Sequence, residues 1–240
     1  MSSSSKRYRA AAQLIDASKK YPLAEALKVI KSLPGAKFDQ TVDIAIRLGI
    51  DPKKSDENVR GTVSLPAGTG KKVRVLVFAK GEKEAEARAA GADVVGGDEL
   101  IDRIANEGFL DFDKAVATPD MMRNVGKIAR VLGPRGLMPN PKTNTVTLEI
   151  AQAVRDLKGG MVSFKVDKAG ILHTIIGKTS FTEEQLLGNA MALLDVVQRA
   201  KPSTSKGVYM RGIALSATMS PAVRVDPAAV EAALREAHPA

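Results

Sequence analysis

From Phe38 onward, apolar and polar positions alternate along the chain. Val42, Ile44, Ile46, Leu48 and Ile50 share one face of an extended segment, while Thr41, Asp43, Ala45 and Arg47 share the other. A period of two predicts a half-buried strand with a polar face left over. Ahead of it, Ser2–Ser5 carries no pattern and reads as disordered. Lys6–Ser18 reads as a short helix whose basic start opposes the helix dipole. Pro22 at a first helical position, followed by Leu23, Leu27 and Ile30, predicts a second helix that stops at Pro34-Gly35. A charged loop over 51–58 leads to another short strand at 59–65.

After Pro66-Ala-Gly68-Thr-Gly70 the pattern changes. Residues 72–79 are almost continuously apolar, as expected of a strand covered on both faces. The spacing then predicts a helix over 82–90, a strand at 94–95, a helix over 99–106 and a strand at 115–117. Asp120 is placed to cap the helix that follows. The stretch 131–142 holds three prolines and two glycines, which predicts a rigid loop, neither helix nor strand, with Leu137 and Met138 packed down. A brief strand near Val146 and a helix over 149–157 close this region at Lys158-Gly159-Gly160. Alternating strands and helices predict a parallel sheet with helical layers.

The β-rich pattern then resumes. Segments 161–166 and 171–176 flank Asp167-Lys-Ala-Gly170, which predicts a hairpin. Thr182 and Gln185 form a capping box for a helix whose stripe is Leu187, Ala190, Met191, Leu194 and Val197. Segments 207–219 and 223–225 read as strands, and the tail over 227–240 has no assigned structure. The simplest arrangement is a discontinuous α+β domain, mainly antiparallel sheet with helices, built from 1–66 and 160–226. A three-layer α/β domain is inserted over 67–159. Gly68, Gly70, Gly159 and Gly160 mark the two crossings and are candidate hinges.

Charge sharpens this division. The chain has 240 residues, 36 basic and 27 acidic side chains, a net charge of +9 and no cysteine. Residues 1–67 and 160–240 carry 21 basic and 14 acidic side chains, a net +7, against 15 and 13, a net +2, for 68–159. A basic balance of this size implies a polyanionic partner, most simply a nucleic acid, met first by the terminal domain. No apolar run approaches the roughly 18 residues of a membrane span. The start of the chain lacks a signal peptide's apolar core, so a cytoplasmic location is expected. Without cysteine there is no disulfide, thiolate metal site or cysteine nucleophile.

Catalytic patterns are sparse. Gly68-Thr-Gly70-Lys71 suggests a nucleotide loop, but Val73 stands where the dinucleotide fingerprint needs a third glycine, and the motif precedes its strand. Gly96-Gly97-Asp98 reads as an ordinary helix entry. His173 and His238 fall in a strand and in the tail, with no metal spacing, and Asp111/Asp113 reads as a solvated loop. A nucleotide-dependent enzyme using the inserted domain is the alternative reading, without catalytic or metal residues to support it and with no cofactor implied. Nucleic-acid binding has more support. Lys37 beside Phe38 can pair a cation with an aromatic that stacks a base, although a core phenylalanine is an equal reading. Thr218-Met219-Ser220-Pro221 ends a strand with a corner that can approach a ribose. Arg123, Lys127, Arg130, Arg135 and Lys142 form a basic set with no Asp or Glu between 121 and 148.

Several stretches together resemble one family. Leu132-Gly-Pro-Arg-Gly-Leu-Met-Pro-Asn-Pro-Lys142 resembles the signature of the L-one family of large-subunit ribosomal proteins, in its bacterial form. The likeness extends through Phe38-Asp-Gln-Thr-Val-Asp43, Leu48-Gly-Ile-Asp-Pro52, Val59-Arg-Gly-Thr-Val-Ser-Leu-Pro66, Gly91-Ala-Asp-Val-Val-Gly-Gly97 and Ala117-Thr-Pro-Asp120. It implies a non-enzymatic ribosomal component, with a discontinuous RNA-binding domain and a Rossmann-like insert joined by hinges. The implied partners are large-subunit ribosomal RNA, exit-site tRNA and the protein's own messenger, with a monomer when free. RNA contacts carry over to Phe38, Thr41, Lys168, Thr218 and Met219, while Lys37, Lys165 and His173 join them from their polar context. Arg123, Lys127, Arg130 and Arg135 become candidate tRNA contacts. Ser220 is counted with the RNA contacts, although it stands where the family usually has glycine, which leaves its effect on RNA affinity open.

Overall fold

Which apolar stripes find partners decides the architecture. The computed structural model describes residues 5–237. In order along the chain it has α1 (Lys6–Gln13), α2 (Leu23–Ser32), β1 (Thr41–Leu48), β2 (Arg60–Ser64), β3 (Val75–Phe78), α3 (Glu82–Ala89), β4 (Val94–Gly96), α4 (Asp98–Glu107) and β5 (Lys114–Ala117). There follow α5 (Met122–Val125), α6 (Ala129–Leu132), α7 (Ile150–Lys158), β6 (Met161–Lys165), β7 (Ile171–Lys178), α8 (Glu183–Arg199), β8 (Met210–Ala217), β9 (Val223–Val225) and α9 (Pro227–Ala237). The chain divides into two compact units: residues up to Gly70 with those from Val162 on, and Lys71–Met161.

In the first unit, β1 is a central strand. The sheet order is β7-β1-β8-β9, all antiparallel. The alternation read from the sequence is the burial pattern: Val42, Ile44, Ile46 and Leu48 are buried, and Thr41, Asp43, Ala45 and Arg47 are not. The buried face packs on α2, α8 and α9. Thr182 and Gln185 close the capping box of α8. Its buried face is wider than expected: Leu186 and Leu193 are in the core, while Leu187 and Met191 are only partly buried. A helix packed along a sheet needs a broader apolar face than one narrow stripe. The unassigned tail also becomes a helix, α9, which sets Val230 and Leu234 into this core. The expected hairpin connection over 167–170 is present at its base, where Val166 and Leu172 form an antiparallel bridge. Its turn is closed, with Asp167 N donating to Ile171 O at 2.9 Å. The flanking strands then part, because β6 pairs with β2 in a separate two-stranded sheet.

The second unit is a parallel sheet of order β4-β3-β5, extended by a parallel bridge from Ala117 to Val146. Every residue of β3 is buried. Val75 and Val77 join Ala87, Val154 and Leu157 on one face, while Leu76 and Phe78 join Leu100, Ile104, Val125 and Leu132 on the other. Helices therefore cover both sides of the sheet. Asp120 is not a helix cap, since it lies inside a 3-10 turn, Pro119–Met121, with Thr118 before it. The stretch 131–142 is not wholly irregular either. Its first residues finish α6, and Pro141–Thr143 forms another 3-10 turn, as a proline at a first helical position favours. Leu137 and Met138 do pack against the core.

One buried polar group ties the chain leaving β2 to the first unit. Asn189 on α8 is fully buried. Its amide donates to Gly68 O at 2.9 Å and Ile176 O at 2.8 Å, and its Oδ1 accepts from Ala67 N at 2.9 Å. Asn189→Leu should strand these backbone groups and lower unfolding stability by about 2–4 kcal/mol, read by urea denaturation. A change under about 0.5 kcal/mol would show that water replaces the amide without loss.

Candidate nucleic-acid interface

The ends of β1, β7 and β8 meet at one corner, where ladder bonds run out and side chains take over. Thr41 N donates to Thr218 Oγ1 at 3.1 Å, Thr218 N to Thr41 O at 3.0 Å, and Thr218 Oγ1 to Thr41 O at 3.2 Å. The Thr218 hydroxyl is thus engaged within the protein, as both donor and acceptor. Gln40 Nε2 donates to Thr218 O. Lys178, opposite Thr41 in the register, donates from Nζ to Thr41 Oγ1 at 2.9 Å, which leaves the Thr41 hydroxyl proton pointing elsewhere.

The loop before β1 is braced on either side of its aromatic. Asp39 Oδ1 accepts from Thr179 Oγ1 at 3.0 Å and Ser180 N at 3.1 Å, and Oδ2 accepts from Ser180 Oγ at 2.8 Å. The Ser180 hydroxyl, above all, holds this carboxyl below its ordinary pKa. Thr179 N donates to Gln40 O at 2.9 Å. Phe38 does not start the strand; it sits in this loop, 52% exposed, beside exposed Lys37. The core reading of Phe38 is therefore excluded.

At the far side of the corner, Met219 is 68% exposed and holds φ at +62°. A residue with a Cβ adopts that conformation only at a cost. Arg7 Nη2 donates to Met219 O at 3.2 Å. Ser220 closes the turn on itself: its hydroxyl donates to Ala217 O at 2.8 Å and accepts from Ala217 N at 3.0 Å. Its φ is not positive, so the backbone conformation here does not call for glycine.

Lys165, Lys168 and His173 form a separate group. Lys165 ends β6, Lys168 lies in the 167–170 turn, and His173 points outward from β7, with Nε2 3.9 Å from Asp167 Oδ2. His173 faces Ala45, four residues along β1 from the Thr41–Lys178 pair. At about 3.4 Å per residue, that is roughly 14 Å. The two groups thus lie toward opposite ends of one open sheet face.

In the second unit, Met121, Val125, Ile128 and Leu132 are buried, and Arg123, Lys127 and Arg130 fall on the opposite, exposed side. Arg135 is exposed in the turn after α6, while the side chain of Lys142, like His238, lies outside the described residues. The basic set has an acid beside it in space, though not in sequence. Asp98 of α4 pairs with Lys80 at 2.6 Å and accepts from Asn124 Nδ2 at 2.7 Å. Lys80, then Asn124, hold the Asp98 carboxyl below its usual range, with Lys127 contributing. Of the crossing glycines, Gly68, Gly70 and Gly160 have positive φ, but Gly159 is right-handed at the end of α7. Gly68 is held by Asn189, and a Cβ on Gly70 would lie 2.8 Å from Lys178 Cγ. The chain packs with the first unit as far as Gly70.

The corner yields an opposed pair of expectations. Ser220→Ala should lose about 1 kcal/mol of stability with its turn bonds, and Met219→Gly should lose none, or gain up to about 1 kcal/mol, by relieving the positive φ. Thermal denaturation of the two variants checks this, and destabilisation by Met219→Gly would show that the thioether packs.

Three segments, 37–41, 178–180 and 217–220, thus build one corner around two exposed apolar side chains. The model of the ribosomal protein L1p/L10e family matches residues 27–221, which contain all three. The chain is 57% identical over 233 residues to the large ribosomal subunit protein uL1 of Thermobifida fusca, covering 97% of this chain and 99% of that one. It is 59% identical over 227 residues to the protein of the same name from Salinispora tropica, covering 95% of each. Likeness of this extent, over both units, leaves one assignment: the chain belongs to the ribosomal protein L1p/L10e family, whose members are structural proteins of the ribosome and not enzymes.

Proposed function

We propose that this protein is a constituent of the large ribosomal subunit in the cytoplasm, and that it binds large-subunit ribosomal RNA through its first unit. That unit is an α+β RNA-binding domain, into which a Rossmann-like α/β domain is inserted. The observation that carries the reading is the corner where Phe38 and Met219 stand exposed on a hydrogen-bonded frame, next to Lys37 and Lys178. Rigid apolar groups beside cations suit an unstacked base and its phosphate. Lys165, Lys168 and His173 extend the contact along the sheet. Ser220 closes the turn that presents Met219 and belongs to the same contact. The same surface binds a mimic of that RNA in the protein's own messenger and represses its translation.

The second unit completes the mobile stalk. Arg123, Lys127, Arg130 and Arg135 touch exit-site tRNA as it departs. Few charges, tempered by Asp98, give contacts that steer without trapping.

Phe38→Ala should weaken binding to a large-subunit RNA fragment by about 1–3 kcal/mol while leaving the melting temperature unchanged. Unaltered affinity in filter binding would remove Phe38 from the interface. Replacing Arg123, Lys127 and Arg130 together by glutamine should preserve that affinity and change the rate at which deacylated tRNA leaves reconstituted ribosomes. If RNA affinity collapses while tRNA departure stays normal, the two units do not divide the work in this way.

A further inference from the structure

The open face of the sheet between the two contact groups has its own chemistry. Across it run Ile175–Asp43–Ser216, then His173–Ala45–Ala214–Arg224, then Ile171–Arg47–Gly212. Small side chains make its centre low, and Arg47, Lys178 and Arg224 surround it with positive charge. Asp43 is the one carboxylate these strands place there. An RNA reaching from the Phe38 corner to the Lys168 turn crosses it.

The free protein offers the Asp43 carboxylate attraction at a distance from Lys178 and His173, but no bonded partner among the described residues. Asp43 is half-buried, and no described residue donates a hydrogen bond to it. Burial pushes its carboxyl above the ordinary pKa, with Lys178 and His173 pulling the other way. A raised folded pKa means that stability falls as pH rises through the carboxylate range. At neutral pH the ionised group therefore costs the fold stability. Asparagine would have nearly the same shape without that cost, and without repelling phosphates.

We propose that Asp43 is a specificity-determining residue of the RNA interface, accepting a hydrogen bond from an N–H or O–H donor of the bound RNA: a guanine edge or a ribose 2′-hydroxyl. The inference rests on the RNA-binding reading above and adds a discriminating group to it. A fixed, desolvated acceptor selects strongly, because a sequence that presents an acceptor or a phosphate there leaves the charge unpaired. The cations around the face attract any RNA, and Asp43 rejects most of them.

Full-length protein and its D43N variant would be titrated with a large-subunit RNA fragment and with an unrelated hairpin of equal length, alongside melting curves. D43N should bind the fragment about tenfold more weakly, bind the hairpin at least as well, and melt no lower than wild type. Tighter binding of both RNAs by D43N would overturn the inference, because Asp43 would then be a mere repulsive charge. A lower melting temperature would overturn it as well, marking a structural role. Fragments carrying inosine for guanosine, or 2′-deoxyribose in short blocks, separate the two donors. The substitution whose effect vanishes in D43N identifies the donor, and full additivity of both refutes the contact. Wild-type protein that fails to prefer the fragment over the hairpin would instead overturn the RNA-binding reading itself.

Discussion

Strand β1 has no sequence neighbour in its own sheet. Both strands that flank it, β7 and β8, begin more than a hundred residues later, at Ile171 and Met210. The first unit therefore cannot close until the chain has returned from Lys71–Met161. Such non-local pairing slows folding, but its entropic cost grows only with the logarithm of the loop, about 0.6 kcal/mol per doubling. A folded insert in that loop thus adds little to the cost. The return is held by more than the ladder: Asn189 on α8 grips Ala67 and Gly68 just before the chain departs.

The same constraint places the corner of Phe38, Thr41 and Thr218. Where β1, β7 and β8 end together, backbone groups lose their ladder partners, and buried ones must find others. Thr218, Gln40, Thr179 and Asp39 supply them, and the frame that results holds Phe38 and Met219 outward. An exposed aromatic on an unbraced loop would lose rotational and backbone freedom on meeting a ligand. Here much of the backbone part of that freedom is already lost in folding, through the bonds of Asp39 and Gln40.

Periodicity made β1, β3 and the capping box of α8 legible, because each expresses a local rule in consecutive residues. Motif likeness pointed to Phe38, Thr41, Thr218 and Met219, which the fold brings to one corner. It could not find Asp39, Lys178 or Ser180, whose place at the corner follows from the pairing of Thr41 with Lys178, a fact of register between distant strands. Asp98 was missed beside the basic set for the same reason, since it arrives on a different helix. The turn over 167–170 was legible as well, but a turn sequence does not say which strand each arm joins beyond it. In α9 the four-residue spacing of Val230 and Leu234 was a helical signal, diluted by the alanines around it.

Several local rules are broken together on one surface of the first unit. Met219 holds a backbone conformation that glycine would adopt without strain, and Phe38 and Ile175 expose apolar surface. Asp43 is partly desolvated, and no described residue donates a hydrogen bond to it. The other non-glycine residue at positive φ, Asn144 in the second unit, is of the type that tolerates it. Each departure costs the free protein something, and each neighbour has a local remedy: Ser220 satisfies its own turn, and Asp39 satisfies its own loop. A sequence shaped only by stability would have remedied Met219 and Asp43 by single substitutions to glycine and asparagine. Strain, exposure and desolvation that persist together, on a sheet face ringed by cations, are compensated when an anionic partner with hydrogen-bond donors covers them.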